Sequence, residues 1–191
     1  MKKMTKFLMA LALISLSAGM ANAQTTSGKC GDSLTWSLTG TKPDLTLTIS
    51  GTGDMYNYRN NMPWRSQRKY IKTLVLHDGM TSIGSYAFGA MRMTSVTIPF
   101  SVKTIGVGAF MACLNLTSVT IPNSLMAIGK EAFYLSGTKD VYVSWTPSPS
   151  ETLMRILWSS SAWPSSVNLH IMTGPEEDVT DTESVESDLQ R

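Results

Sequence analysis

Three versions of one short phrase, Ile83-Gly84-x-x-Ala87-Phe88, Ile105-Gly106-x-x-Ala109-Phe110 and Ile128-Gly129-x-x-Ala132-Phe133, recur 22 and then 23 residues apart. Each follows an alternating apolar pair: Leu74-x-Leu76, Val96-x-Ile98 and Val119-x-Ile121. A fixed period in the low twenties, with one strand per unit, is the mark of a solenoid. In such a fold each unit stacks on its neighbours because none can bury its apolar face alone. The expected fold is therefore a β-rich solenoid whose parallel sheet has about five short strands, placed at Leu74, Val96, Val119, Val141 and Leu169. Turns or short helices should form its convex side.

Within a unit, strand alternation buries Val96 and Ile98 and turns Ser95 and Thr97 outward. Pro99 and Pro122 lack an N–H and end the ladder, so the chain turns away there. Met80, Val102 and Leu125 should point back inward, followed by the three isoleucines. The glycine after each isoleucine suggests a backbone angle that side chains disfavour. The Ala-Phe pair is expected to start a short helical turn. Its alanine allows close backbone packing while Phe88, Phe110 and Phe133 fill the core, the ordinary fate of phenylalanine. Upstream, Leu34, Trp36, Leu38 and then Leu45, Leu47, Ile49 alternate on either side of a polar loop, which reads as a β-hairpin with one apolar face. Gly51-Thr52-Gly53 should stop it. The hairpin would cover the otherwise bare first repeat, with Met62-Pro63-Trp64 as a packing anchor in the following loop.

The ends are of a different kind. Lys2, Lys3 and Lys6, an apolar run from Phe7 to Ala18, and Ala21-Asn22-Ala23 make residues 1–23 a secretory signal, with cleavage expected after Ala23. The apolar run is short for a bilayer span of about 20 residues, and no later stretch suits one. Residues 24–70 form the hairpin and its connecting loop, 71–172 the solenoid, and 173–191 an acidic tail with few large apolar residues that should be disordered. Without the signal the chain carries 13 basic and 14 acidic residues, and seven of those acids lie in Glu176–Arg191. Residues 24–175 thus hold 12 basic and 7 acidic residues, scattered along the sequence and unlike a nucleic-acid-binding stripe. Export would permit a disulfide between Cys30 and Cys113. Stacked repeats keep such distant units further apart than the ~7 Å a bridge spans, so both are expected free.

The unit x-V-T-I-P-x-S-V-x-x-I-G-x-x-A-F-x-x-C-x-x-L-T-S, best seen in Val96–Ser118 and Val119–Asp140, resembles the BspA-like leucine-rich repeat family of bacteria. The lead-in Cys30-Gly31-x-x-Leu34-Thr35-Trp36 and the segment Leu45–Gly53 are similar to the N-terminal part of exported members. The resemblance covers roughly residues 30–145 and implies a leucine-rich repeat fold and a secreted, periplasmic or cell-surface location. It further implies adhesion, since some members bind host matrix proteins or other bacteria. Members often finish with an aromatic-rich cap, whereas this chain finishes with Glu176–Arg191.

Enzyme signatures are missing: there is no glycine-rich phosphate loop, no zinc-binding His-Glu-x-x-His and no serine nucleophile elbow. His77 and His170 are too far apart in the repeat order to share a metal, and a zinc site needs at least three converging ligands. No cofactor is expected. The outward row of the sheet is the candidate binding surface, with Thr97, Thr120, Tyr142 and His170 at strand centres and Asp140 just before the buried Val141. Threonine and tyrosine also simply favour strands. A protein partner, from the host matrix or a bacterial surface, is the first expectation. The alternative is a glycan or a structural envelope role, should Trp145, Trp158 and Trp163 form an exposed stacking platform.

Overall fold

A computed structural model of the chain describes residues 26–144, 155, 161–164 and 167–172. Residues 1–23, expected from sequence to be a secretory signal, Trp145, Trp158, most of the Leu153–Trp158 run and the acidic tail lie outside these residues. A short strand β1 (Ser27–Lys29) pairs antiparallel with β2 (Gly31–Thr41), which pairs antiparallel with β3 (Asp44–Met55). The alternating residues Leu34, Trp36, Leu45, Leu47 and Ile49 are buried, as the sequence pattern requires.

The repeats supply two rows of strands. The first holds β4 (Ile71–Leu76), β6 (Ser95–Thr97), β8 (Ser118–Ile121), β10 (Asp140–Ser144) and β11 (Asn168–Met172). Of these, β6, β8, β10 and β11 form one parallel four-stranded sheet, whereas β4 pairs with the hairpin. The second row holds β5 (Met80–Ile83), β7 (Thr104–Ile105) and β9 (Ala127–Ile128), also parallel. This second row was not expected from the sequence. Two-residue strands are too short for alternation to reveal them.

Three further expectations are corrected. Gly51 and Gly53 do not end the hairpin. They take φ of 111° and 88° and bend β3 without breaking it, so that its first part pairs with β4 and its last part with β5. The repeated glycines Gly84, Gly106 and Gly129 owe their identity to crowding, not to a left-handed backbone. A Cβ on Gly106 would stand 2.5 Å from Ser85 N, and one on Gly129 2.5 Å from Val107 N. The left-handed residues come two positions later, at Tyr86, Gly108 and Glu131, with φ of 55–59°. Finally, the Ala-Phe segments are hydrogen-bonded turns, not helices.

Those turns build the core. Phe88 N–H donates to Ala109 O, Phe110 N–H to Ala132 O, and Phe133 N–H to Ala162 O, so each unit hands its backbone bond to the next. The rings follow in a column. Trp64 lies over Phe88 at 5.9 Å between centroids, Phe88 over Phe110 at 5.5 Å, Phe110 over Phe133 at 5.0 Å, and Phe133 over Trp163 at 4.4 Å. Trp64 and Trp163 therefore occupy phenylalanine places at the two ends. Trp64 Nε1–H donates to Ala87 O, satisfying a buried indole. Cys30 and Cys113 are free and buried, and Cys113 Sγ lies 3.1 Å from Phe88 O.

Candidate interaction face

The register of the four-stranded sheet decides which outward side chains meet. Thr97 pairs with Thr120, Thr120 with Tyr142, and Tyr142 with His170. The four central residues singled out from sequence thus form one continuous rank across the strands. Asp140 stands two positions earlier on β10, opposite Ser118 on one side and Asn168 on the other. Between these outward positions Val96, Val119 and Val141 are buried, which fixes the face that Thr97, Thr120 and Tyr142 present.

The C-terminal end of the rank is ordered by its own contacts. His170 Nε2 lies 2.9 Å from Asp140 Oδ1, and Asn168 Nδ2–H donates to the same oxygen at 3.2 Å. The Tyr142 and His170 rings stack with centroids 4.7 Å apart and planes 17° from parallel. The hydrogen bond to His170, then that from Asn168, holds the Asp140 carboxyl below its ordinary value of 3.8. The cluster presents an aromatic surface, an anion and an imidazole within one open patch. The hydroxyl of Thr120 is two strands from His170, about 9–10 Å at ordinary strand spacing. That is beyond the reach of a nucleophile–base pair. Among the described residues no three His, Cys, Asp or Glu side chains converge as metal ligands.

The pairing of Asp140 with His170 was not visible in the sequence, because the partners are 30 residues apart and the last unit is longer than the others. Trp163, one of three residues on which a glycan platform would depend, is buried against Phe133. It does not form part of any exposed surface.

Residues 66–151 match the model of the BspA type leucine rich repeat region, in six copies. The matched residues are leucine-rich repeats of the BspA type. The strands from β4 to β10 and the rings Phe88, Phe110 and Phe133 are thus the form that BspA-type repeats take in this chain. A leucine-rich repeat protein from Eubacterium ventriosum is similar at 26% identity over 78% of this chain and 40% of that one, with a TM-score of 0.49. Another from Bacteroides ovatus is similar at 16% identity over 66% of this chain and 42% of that one, with a TM-score of 0.45. The chain thus spans about two fifths of the length of each. No curated protein matches it. Among the described residues no helix is long and apolar enough to cross a membrane.

Proposed function

We propose that this chain is an exported adhesion module that engages a protein partner through the four-stranded sheet, at Asp140, Tyr142 and His170, with Thr97 and Thr120 extending the contact. The observation that carries this reading is the ordered cluster at the end of the rank. Immobilising a free side chain on association costs about 0.5–1.5 kcal/mol. Stacking and hydrogen bonding hold Tyr142, His170 and Asp140 in place before any partner arrives, which removes part of that cost. Aromatic side chains also dominate the energy of protein interfaces. Export rests on residues 1–23 and on the resemblance to exported family members, and partners in the host matrix or on bacterial surfaces follow from the same resemblance.

The test is a binding survey of the full mature chain against extracellular matrix proteins and bacterial surface proteins. The triple variant Asp140→Ala, Tyr142→Ala, His170→Ala is then measured on whichever partner binds. Affinity should fall at least tenfold while the thermal midpoint stays near that of the parent. Full binding by a folded triple variant would move the surface elsewhere.

A further inference from the structure

The basic residues look scattered in the sequence, yet their excess is concentrated. Residues 59–92 contain Arg59, Arg65, Arg68, Lys69, Lys72 and Arg92 against the single acid Asp78, a net of +5. The rest of residues 24–175 is balanced, with six basic and six acidic residues. The fold gathers part of this excess around one open cleft of about 730 Å³, lined by Pro63, Arg65, Ser66, Arg68, Lys69 and Ala90. Arg65 Nε–H donates to Asn60 Oδ1, a neutral acceptor, and Lys69 lies over the Tyr70 ring. Among the described residues the cleft's three cations are not ion-paired, whereas nearby Lys72 pairs with Asp44. The cleft is therefore positive and uncompensated.

One segment of the same chain has the complementary composition. Residues 176–191 hold seven carboxylates and one arginine, a net of −6. We infer that this acidic tail is the occupant of the Arg65–Arg68–Lys69 cleft, held there by charge without needing to adopt a fixed fold. Reach allows it. The tail leaves the C-terminal end of β11, four strand steps from β4, about 19 Å at a spacing of ~4.8 Å. The cleft residues precede the N-terminal end of β4, about 17 Å back along the strand direction, so the path is roughly 26 Å. Nine extended residues span about 30 Å, so the carboxylates from Asp181 to Asp188 can lie over the cleft. Covalent attachment supplies a high local concentration, which weak surface charge pairs need to be populated. Such contacts are screened over about 8 Å at physiological ionic strength, so occupancy should depend steeply on salt. This inference is independent of the sheet-face reading.

The test uses the full mature chain with Ser187→Cys carrying a nitroxide; Cys30 and Cys113 are buried and should be spared by the label. At 20 mM salt the amide signals of Arg65, Ser66, Arg68 and Lys69 should lose more than half their intensity. Those of Thr97 and Thr120 should lose less. Raising salt to 0.5 M should reverse the loss, as should Arg65→Gln with Arg68→Gln and Lys69→Gln. Should that variant unfold, Asp181→Asn, Glu183→Gln, Glu186→Gln and Asp188→Asn remove the carboxylates within reach of the cleft without touching the repeats. No selective loss, or a loss insensitive to salt and to both sets of changes, would overturn the inference. So would equal broadening when the nitroxide is carried only by a second copy of the chain, which would assign the contact to another molecule.

Discussion

Phe110→Ala removes the middle ring of the core column. Phe110 has no exposed surface and lies between Phe88 at 5.5 Å and Phe133 at 5.0 Å. A buried aromatic side chain withdraws about 150–250 Å² from water. At about 25 cal/mol per Å² that is roughly 4–6 kcal/mol, of which the alanine methyl retains a part. The cavity left behind adds to the cost, and measured losses for such changes are about 3–5 kcal/mol. Two ring contacts are lost together, so the upper end, ~4–5 kcal/mol, is expected. Whole domains are stable by only about 5–15 kcal/mol, so the variant should lie near the limit of folding at room temperature. Urea unfolding followed by circular dichroism, with the slope unchanged, measures it. Leu114→Ala, at a residue 72% exposed, is the control and should move stability by less than about 0.5 kcal/mol. A loss below about 1 kcal/mol for Phe110→Ala would refute the column as the source of stability.

Gly106→Ala should cost roughly 2 kcal/mol or more, because its methyl meets backbone atoms of the preceding unit. Gly53→Ala has open space and should cost only the ~1–2 kcal/mol of a left-handed residue; equal midpoints for the two in urea would contradict the crowding argument. Cys30 and Cys113 have thiols pushed up by burial, to about 11 and about 12. A disulfide reagent at pH 8 should therefore find no reactive thiol in the native chain and two after denaturation. Asp140, held down chiefly by its bond to His170, and Asp54, held down by bonds from Thr81 and Ser82, have folded values below 3.8. Their contribution to stability is thus complete above that value and is lost as pH falls through the lowered ones. Asp54→Asn with Asp140→Asn should flatten the acid side of a midpoint-versus-pH curve below pH ~4, and an unchanged acid limb would remove them from the account.

How far the sequence could be read varied with the range of the interaction involved. The repeat period, the buried valines and phenylalanines, and the rank Thr97–Thr120–Tyr142 follow from local alternation combined with a constant unit length, whereas His170 was legible by alternation alone because its unit is longer. The second row did not, since Thr104–Ile105 and Ala127–Ile128 are held by pairing with neighbours and have no pattern of their own. The column ends were partly legible. Pro63-Trp64 and Ala162-Trp163 each put an aromatic after a small or compact residue, but Trp163 stands 30 positions after Phe133 and so breaks the period. The glycine rule was read for the wrong reason because a positive φ and a close neighbour leave the same residue in a sequence. The Asp140–His170 contact joins adjacent strands diagonally, and only three-dimensional register reveals it.

The bend in β3 has a consequence for how such a chain can lengthen or shorten. In the described repeats that contribute to both rows the passage from first to second is made by a separate turn, whereas β3 makes it within one strand, from Ile49 opposite Leu76 to Gly53 opposite Met80. The hairpin is therefore a gauge. Its four-residue step between the rows sets the cross-section that the next unit must match, and each unit passes that section on to its neighbour. Whole units of 22 or 23 residues can be gained or lost further along without disturbing the gauge. A single residue added between Gly51 and Gly53 would put both rows out of step at once, and no later unit could restore them.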